Sequence, residues 1–242
     1  MLNACSIEIL KTKRTVIRKL IWIFPILVVI VTSLLFASTG YVIQSIINQW
    51  SFIWINLFLA LIIGLIDRYE KNSTEYKMIL SSPADLFQYE LGRILHEVFL
   101  SFFIAIVLSI LITLGSFFMP IKVSLMACIG AIFGIFVATL WEIPLYSWLS
   151  RITNLYVSIA VAFIGSLIGI FINNSTIGKI FPFTWSDLMP VSLIKMHVNG
   201  LLVKSSETIP NSYWTLAASL VLFVLLSCLS GVFFKKQVIK NG

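Results

Sequence analysis

The sequence predicts an all-α integral membrane protein with six transmembrane helices, an N-terminal interfacial helix and both termini in the cytoplasm. Hydrophobic residues make up 59% of the chain and charged residues only 11%. Soluble domains carry about 25% charged residues, so this composition indicates a membrane protein. The length of 242 residues suits one transmembrane domain covering residues 1–242.

Six apolar segments approach the length of about 20 residues that a helix needs to cross the hydrocarbon core. They cover residues 20–43, 51–66, 98–119, 123–146, 155–172 and 214–234. The second segment is short, and we expect its helix to begin near Ile46 and to include Trp50 as an interfacial anchor.

The basic residues orient these segments, because Lys and Arg concentrate on the cytoplasmic side of membrane proteins. With both ends inside, 13 of the 17 basic residues are cytoplasmic, namely Lys11, Lys13, Arg14, Arg18, Lys19, Arg68, Lys71, Lys77, Arg93, Arg151, Lys235, Lys236 and Lys240. The others are Lys122, Lys179, Lys195 and Lys204. The net charge of +7 therefore indicates contact with anionic membrane lipid and not with nucleic acid.

Three segments lie outside the predicted spans. Residues 1–20 mix apolar and basic residues at near-helical spacing, which predicts a helix lying flat on the inner leaflet. Residues 68–97 are predicted to form a cytoplasmic loop, and residues 173–213 an extracellular segment between the fifth and sixth spans.

The predicted cytoplasmic loop and its flanking Asp67 hold 10 of the 27 charged residues. A polar piece, YEKNSTEYKMIL, ends at Ser-Ser-Pro, and a second helical piece leads into the third span. Charges of both signs alternate with aromatic residues, which favours a docking surface for a soluble partner over a merely solvated loop. The candidate contact residues, expected to face the cytoplasm, are Tyr69, Glu70, Lys71, Glu75, Tyr76 and Lys77.

Motifs for catalysis or nucleotide binding are missing from the sequence. His96-Glu97 lacks the second histidine of a zinc-binding H-E-x-x-H helix, and the Gly178-Lys179 pair has Asn173 where a phosphate-binding loop requires glycine. We therefore expect no catalytic, metal or cofactor site in this chain and do not expect it to be an enzyme.

The predicted spans are almost empty of ionisable residues. Glu142, beside Pro144 near the inner end of the fourth span, is the exception. It is either a coupling or gating carboxylate or an interfacial residue that reaches inner-surface water, and its shallow depth favours the interfacial interpretation.

Two pairs of glycines have the G-x-x-x-G spacing, Gly130 with Gly134 and Gly165 with Gly169. Glycines at this spacing expose backbone on one helix face and permit close helix approach. We expect all four to support packing within the bundle or between two copies.

These features resemble the permease subunits of type-2 ABC exporters, which share the six spans, the basic N-terminal helix and an inner loop of two helical pieces joined at Ser-Pro. More narrowly, the chain is similar to the lantibiotic-immunity permeases in two segments, EILKTKRTVIRKLIWIFP and FPFTWSDLMPVSLIKMHVNGLL. That family usually has proline where this chain has Val198.

The resemblance implies a half-transporter in the plasma membrane of a Gram-positive bacterium. Its partners would be a second permease subunit, either a sister chain or another copy, and a separate ABC ATP-binding subunit that holds ATP and Mg²⁺. The substrate would be a peptide antibiotic, a lantibiotic or another bacteriocin, expelled for self-immunity. The candidate coupling loop would dock on the ATPase, and the extracellular gate or substrate candidates are Trp185, Met189, His197, Asn199 and Gly200.

Two other function classes stay open. A secondary transporter or channel needs ionisable groups at mid-membrane, and the predicted spans lack them. A membrane immunity protein that binds the antibiotic without transporting it would have no use for a coupling loop. Transport without ATP or a partner would favour the first alternative, and peptide binding without export would favour the second.

Overall fold

The computed structural model describes residues 2–13, 15–74, 85–173, 175–204 and 212–241, and this part of the chain is helical without strands. In chain order the elements are α1 (Leu2–Thr12), α2 (Val16–Leu35), α3 (Val42–Gln49), a π-helical turn (Trp50–Trp54), α4 (Ile55–Thr74), α5 (Leu86–Gly115), α6 (Leu125–Ala138), α7 (Glu142–Ile152), α8 (Leu155–Ile172), α9 (Thr176–Ile180), a 3-10 turn (Pro182–Thr184), α10 (Trp185–Leu193) and α11 (Tyr213–Asn241).

The helices that can cross a membrane agree with the predicted number of spans. Within the described residues, five stretches are long and apolar enough, at Val16–Leu35, Val42–Asn72, Leu86–Gly115, Leu155–Ile172 and Tyr213–Lys236. A sixth candidate is the pair α6 and α7, which is bent by 44°. The chain is therefore an all-helical protein whose composition and helix lengths are consistent with a multi-pass membrane protein.

The predicted span 20–43 is wrong at its C-terminal end. α2 stops at Leu35, and the helix resumes only with α3 at Val42. The intervening residues include Ser38, Thr39 and Gly40, which are weaker helix formers, and the Thr39 hydroxyl donates to the Phe36 carbonyl at 2.8 Å. Such a local side-chain bond competes with the helical pattern and favours a turn.

Much of the predicted loop 68–97 is helical. α4 runs on to Thr74, and α5 begins at Leu86, where the Asp85 side chain caps it by accepting a backbone hydrogen bond. The second helical piece predicted there is the N-terminal part of α5. Residues 75–84, with the Ser-Pro junction, lie outside the described residues.

Pro144 accounts for the break that divides the predicted span 123–146. In a continuous helix its ring would clash with the Leu140 carbonyl, and it has no N–H to donate. Thr139 is the C-cap of α6, and its hydroxyl donates back to the Ile135 carbonyl at 3.0 Å, a bond that often bends helices. Pro144 instead lies in the first turn of α7, where no N–H is needed for the helical ladder.

Both ends of the described chain meet at one end of the bundle, which we call the basic end. Tyr89, at the start of α5, donates to Glu8 of α1, and its ring stacks on Phe234 of α11. Arg151, at the end of α7, lies 4.5 Å from the centre of the same Phe234 ring. The C-terminal parts of α7 and α11 are thus brought beside α1 and the start of α5.

α1 covers part of the segment predicted as an interfacial helix. It packs along α5 and buries Cys5, Glu8 and Thr12, whereas Ile7 and Leu10 face outward. The polar side of α1 therefore faces the bundle, and its apolar side is available to a membrane surface.

At the opposite end, α10 lies inside the bundle, against α6 and the π-helical turn. Two side-chain amides of α3 bind the chain that follows α10. Gln44 donates to the Ile194 carbonyl at 3.1 Å, and Asn48 donates to the Val198 carbonyl at 3.3 Å. Irregular backbone inside a bundle needs such donors, because its carbonyl groups do not accept hydrogen bonds from N–H groups of a helix.

Three of the four G-x-x-x-G glycines pack against the 3-10 turn and α10. A Cβ atom on Gly165 would lie 2.8 Å from atoms of the Phe183 ring, and one on Gly134 would lie 3.0 Å from Met189 Sδ. Gly169 contacts the same segment at ordinary van der Waals distance. The predicted close packing is present, but its partner is the short internal segment.

Gly130 does not take part in this packing. A Cβ atom placed there would meet no atom within 4 Å. Gly130 is therefore not packed within one copy of the chain, because G-x-x-x-G spacing does not identify which face of a helix is covered, and packing between two copies stays a prediction at this position.

We expect Gly165→Ala to destabilise the protein and Gly130→Ala, the matched control, to leave it as stable or slightly more so. The added methyl group overlaps the Phe183 ring, which is held between Trp141 and Phe181, and overpacking of this kind costs about 1–3 kcal/mol. In an open helical position alanine is preferred over glycine by about 1 kcal/mol. Thermal unfolding of the purified chain in detergent measures the stability of both variants. Equal losses of stability in Gly165→Ala and Gly130→Ala would contradict these contacts.

Candidate functional site

A set of buried charged side chains, which we call the buried ion-pair network, joins four helices at the basic end. Its centre is Arg93 on α5, which donates to Asp67 of α4 at 3.1 Å and to Ser147 of α7 at 2.6 Å. The Arg93 Nε atom lies 3.5 Å from Glu90 and 3.8 Å from Glu97. The members are Asp67, Glu90, Arg93, Glu97, Ser147, Arg151 and Ser230.

Glu90 is the second centre of the network. One of its oxygens accepts hydrogen bonds from Arg151 of α7 at 2.6 Å and from Ser230 of α11 at 2.7 Å. Ser147 also donates to this oxygen at 3.3 Å while it accepts from Arg93. The carboxylate therefore connects α5 to both α7 and α11.

The network is almost fully removed from solvent, since the charged side chains are at most 5% exposed. Within the described residues, three carboxyl groups face two guanidinium groups. Glu97 is the least engaged, because neither of its oxygens accepts a hydrogen bond there. Arg93 is near all three carboxyl groups, at 3.1 Å from Asp67, 3.5 Å from Glu90 and 3.8 Å from Glu97, whereas Arg151 is the cation nearest to Glu90.

Helical spacing places these residues on common faces. Glu90, Arg93 and Glu97 follow one another at intervals of three and four residues on α5, and Ser147 and Arg151 are four apart on α7. This spacing is visible in the sequence. Burial of the two faces against each other is not, because that depends on which helices become neighbours.

A second cluster, which we call the N-terminal latch, ties α1 to α4 and α5. Lys11 donates to Glu70 at 2.7 Å, to Glu8 at 2.9 Å and to the Tyr89 hydroxyl at 3.1 Å. Burial lowers the pKa of Lys11, but the ion pairs with Glu70 and Glu8 outweigh it and raise the pKa above its ordinary value. Glu70, the latch residue on α4, lies just before the end of that helix and is close in sequence to residues 75–84.

Two further carboxyl groups, Glu142 and Asp187, are each 1% exposed. We call them the carboxyl pair, because they are near enough to interact electrostatically. Neither has an ion-pair partner among the described residues. Asn173 donates to Asp187 at 3.5 Å, and the Tyr146 hydroxyl lies near Glu142 without reaching hydrogen-bond geometry.

This burial overturns the interfacial interpretation of Glu142. The side chain does not reach water, because the break before α7 turns it into the bundle beside α10. Glu142 stays the one charged residue within the predicted spans, and the other buried charges lie outside them. The bundle holds the carboxyl pair at the break and the buried ion-pair network at the basic end.

The structure separates the candidate coupling residues. Glu70 is 5% exposed and bound to Lys11, so the expectation that it faces the cytoplasm is wrong. Tyr69 and Lys71, on the same turn of α4, are exposed as expected. The remaining candidates, Glu75, Tyr76 and Lys77, lie outside the described residues.

Two of the extracellular candidates belong to the packed interior. Met189 is fully buried, and Trp185 is 6% exposed and packs edge-on against Trp141 and Trp214. A peptide has no access to either side chain in this conformation. Their position supports sealing of this end of the bundle.

The other extracellular candidates form a tight turn. Gly200 donates to the His197 carbonyl at 2.8 Å, and its positive φ of 79° is readily adopted only by glycine. The Asn199 side chain accepts from the Leu201 backbone at 3.0 Å. The His-x-Asn-Gly sequence therefore has a structural explanation that requires no ligand.

We expect Arg93→Gln to destabilise the chain severely and Glu97→Gln to be well tolerated. Without the Arg93 guanidinium, Arg151 is the one cation of the network left to balance three buried carboxyl groups. Breaking a buried ion pair in this way costs about 3–5 kcal/mol. Neutralising Glu97 removes the surplus negative charge without breaking a hydrogen bond. Thermal unfolding in detergent compares the two variants, and a Glu97→Gln loss as large as that of Arg93→Gln would contradict this charge balance.

We expect Asp187 to make the stability of the protein fall as pH rises. Burial raises the pKa of this carboxyl group well above its ordinary value, although Asn173 opposes the shift by hydrogen bonding. Folding therefore favours the protonated form of Asp187. The contribution of this group to the free energy of unfolding is complete below its pKa in the unfolded chain, about 4, and is lost as pH rises through the raised pKa of the folded chain.

The Asp187→Asn variant isolates this contribution. We expect its thermal midpoint to match that of the wild type at low pH and to exceed it at high pH. Parallel profiles for the wild type and Asp187→Asn would contradict a raised pKa for the buried Asp187 carboxyl group.

Comparisons of the chain with protein-family models, with curated proteins and with solved structures find no match. Any assignment of function therefore rests on the buried ion-pair network, the N-terminal latch and the carboxyl pair.

Proposed function

We propose that this chain is the membrane-spanning permease subunit of an ATP-driven exporter of the ABC class. Its basic end faces the cytoplasm, in keeping with the positive-inside rule. A separate ABC subunit binds ATP and Mg²⁺, and a second permease, either a sister chain or another copy, completes the transmembrane unit. The substrate is an amphipathic peptide antibiotic, expelled from the plasma membrane of its Gram-positive producer.

The observation that carries the proposal is the anchoring of both flanks of residues 75–84. Before this segment, Glu70 is held to α1 by Lys11 at 2.7 Å. After it, Glu90 and Arg93 bind α4, α7 and α11 through the buried ion-pair network. A push on the segment would thus move several helices together, as an ATP-driven mechanism requires.

Exposed residues beside the segment support a docking role. Tyr69 is 44% exposed, and Lys71 is also exposed, so both are available to a soluble subunit. The sequence predicted that Glu70 would face the cytoplasm as a docking residue. It supports the proposal instead through its ion pair with Lys11, which connects α1 to α4.

At the end opposite the basic end, the position of α10 gives less direct support to the proposed export. α10 fills the bundle between α6 and the π-helical turn, beside the break before α7. In the proposed cycle the described conformation is closed at this end, and release of the peptide requires α10 to shift. The glycine faces of α6 and α8 that contact this segment provide close but weakly bonded packing.

We expect a P-loop ATPase to co-purify in stoichiometric amount with the tagged chain from its native membranes in mild detergent. The charge exchange Glu75→Lys with Lys77→Glu should remove the ATPase from the eluate. Lys204→Glu with Glu207→Lys is the matched control, because it exchanges the same charges in the segment before α11 and should retain the ATPase. Mass spectrometry and ATP hydrolysis of the eluate measure both.

Two results would contradict the proposal. One is a chain that elutes without any ATPase under conditions that preserve other ABC complexes. The other is equal loss of the ATPase from both charge-exchange variants, because the effect would then not depend on the candidate coupling segment.

The carboxyl pair favours one alternative, a proton-coupled secondary transporter. Buried carboxyl groups without ion-pair partners are typical of proton pathways in membrane proteins. That function requires export by the chain alone in vesicles, driven by a pH gradient and without ATP. Loss of such export in Glu142→Gln, with the thermal midpoint preserved, would establish the alternative.

A further inference from the structure

A half-open cleft of about 200 Å³ lies at the basic end, between the C-terminal part of α4 and the turn that joins α7 to α8. Its wall from α4 carries Arg68 and Lys71. The facing wall carries Ser150 of α7 and Thr153 and Asn154 of the turn. The side of the cleft toward the membrane-spanning part of α8 is formed by Tyr156. The cleft is thus polar and basic on one side and borders an apolar helix.

The two basic residues of the cleft are available to a ligand. Arg68 and Lys71 are exposed and lie three residues apart, which places them on one face of α4. Neither has an ion-pair partner within the part of the chain that the structure describes. Asp67 also borders the cleft, but its carboxylate is bound to Arg93 at 3.1 Å. The cleft therefore presents positive charge.

The start of α8 adds to this positive potential. α8 has 18 residues and begins at Leu155, on the wall of the cleft. The Asn154 side chain accepts from the Val157 backbone at 3.0 Å, which leaves the N–H groups of Leu155 and Tyr156 without helical partners. Free N–H groups at a helix start favour a phosphate group.

An apolar face of α8 leads away from the cleft. Tyr156, at the mouth of the cleft, is 69% exposed. Phe163, Ile164, Ile168 and Phe171 are also exposed and recur at helical intervals on the same helix. A ligand with a phosphate group and long apolar chains would match both the cleft and this face, whereas free phosphate would match only the cleft.

We propose that this cleft binds the phosphate headgroup of an anionic phospholipid, whose acyl chains lie along the exposed face of α8. Arg68 and Lys71 neutralise the phosphate, and Tyr156 lies at the level of the headgroup, where tyrosine is favoured at membrane interfaces. Basic pockets between helices at a membrane surface recognise anionic headgroups in this way. The site does not depend on the proposed transport function.

Lipid binding to the full chain, purified in detergent, tests the proposal. Native mass spectrometry with phosphatidylglycerol and with phosphatidylcholine gives the affinity for each lipid. We expect the wild type to prefer phosphatidylglycerol and Arg68→Gln with Lys71→Gln to weaken its binding on the order of tenfold or more, with phosphatidylcholine unaffected. Lys235→Gln with Lys236→Gln removes the same charge from the exposed end of α11 and should retain the preference.

A second variant tests the cleft without changing its charge. Thr153→Trp places a large side chain at the exposed wall, so it should also weaken phosphatidylglycerol binding. Unchanged binding in this variant would overturn the site, provided that its thermal midpoint equals that of the wild type without lipid.

Three other results would overturn the proposal. Equal affinity of the wild type for the two lipids would remove the anionic preference. Equal weakening by the two double variants would reduce it to general surface charge. Displacement of phosphatidylglycerol by millimolar inorganic phosphate would assign the cleft to free phosphate.

Discussion

A buried guanidinium group must be surrounded by acceptors, and Arg93 is the point at which this constraint governs the described bundle. Moving a charge out of water costs several kcal/mol, which only close and well-bonded partners offset. Arg93 obtains them from α4, α5 and α7 at once. The positions of these helices at the basic end are therefore tied to one another, and Glu90 extends the tie to α11.

The two ends of the bundle meet their packing requirements by different means. At the basic end, charges and hydroxyl groups connect the helices. At the opposite end, glycines on α6 and α8 allow a short segment with its own proline, Pro190, to lie inside. The amides of α3 then bond the backbone that this segment leaves irregular. The carboxyl pair lies where this segment meets the broken helix, and it lacks the cation that would neutralise it among the described residues.

The proposed transport function would use this contrast to transmit motion from one end to the other. Ion pairs connect the helices at the basic end, whereas glycine contacts and the amide bonds from Gln44 and Asn48 hold the inserted segment at the opposite end. The N-terminal latch places α1 in the same connected set as α4 and α5. Any force on the region between α4 and α5 would thus act first on the most strongly connected helices.

Composition and apolar run length were enough to predict an all-helical chain with about six spans, because a helix must satisfy its own backbone in lipid. The bend at Pro144 also follows from local chemistry, since proline has no N–H. The faces of Glu90, Arg93 and Glu97 could be predicted from spacing as well. What the sequence could not provide is the identity of the neighbouring helix on each face.

Tertiary structure alone decided which charges are buried and which are exposed. Glu70 and Lys71 are adjacent in sequence, yet Glu70 faces Lys11 and Lys71 faces the cleft. In the same way Gly130 and Gly134 share a motif, and only Gly134 is covered. The sequence by itself determined the helices and their apolar character, because these depend on residues near in the chain. The buried ion-pair network, the carboxyl pair and the cleft depend on contacts between distant residues, so only the packed bundle specifies them.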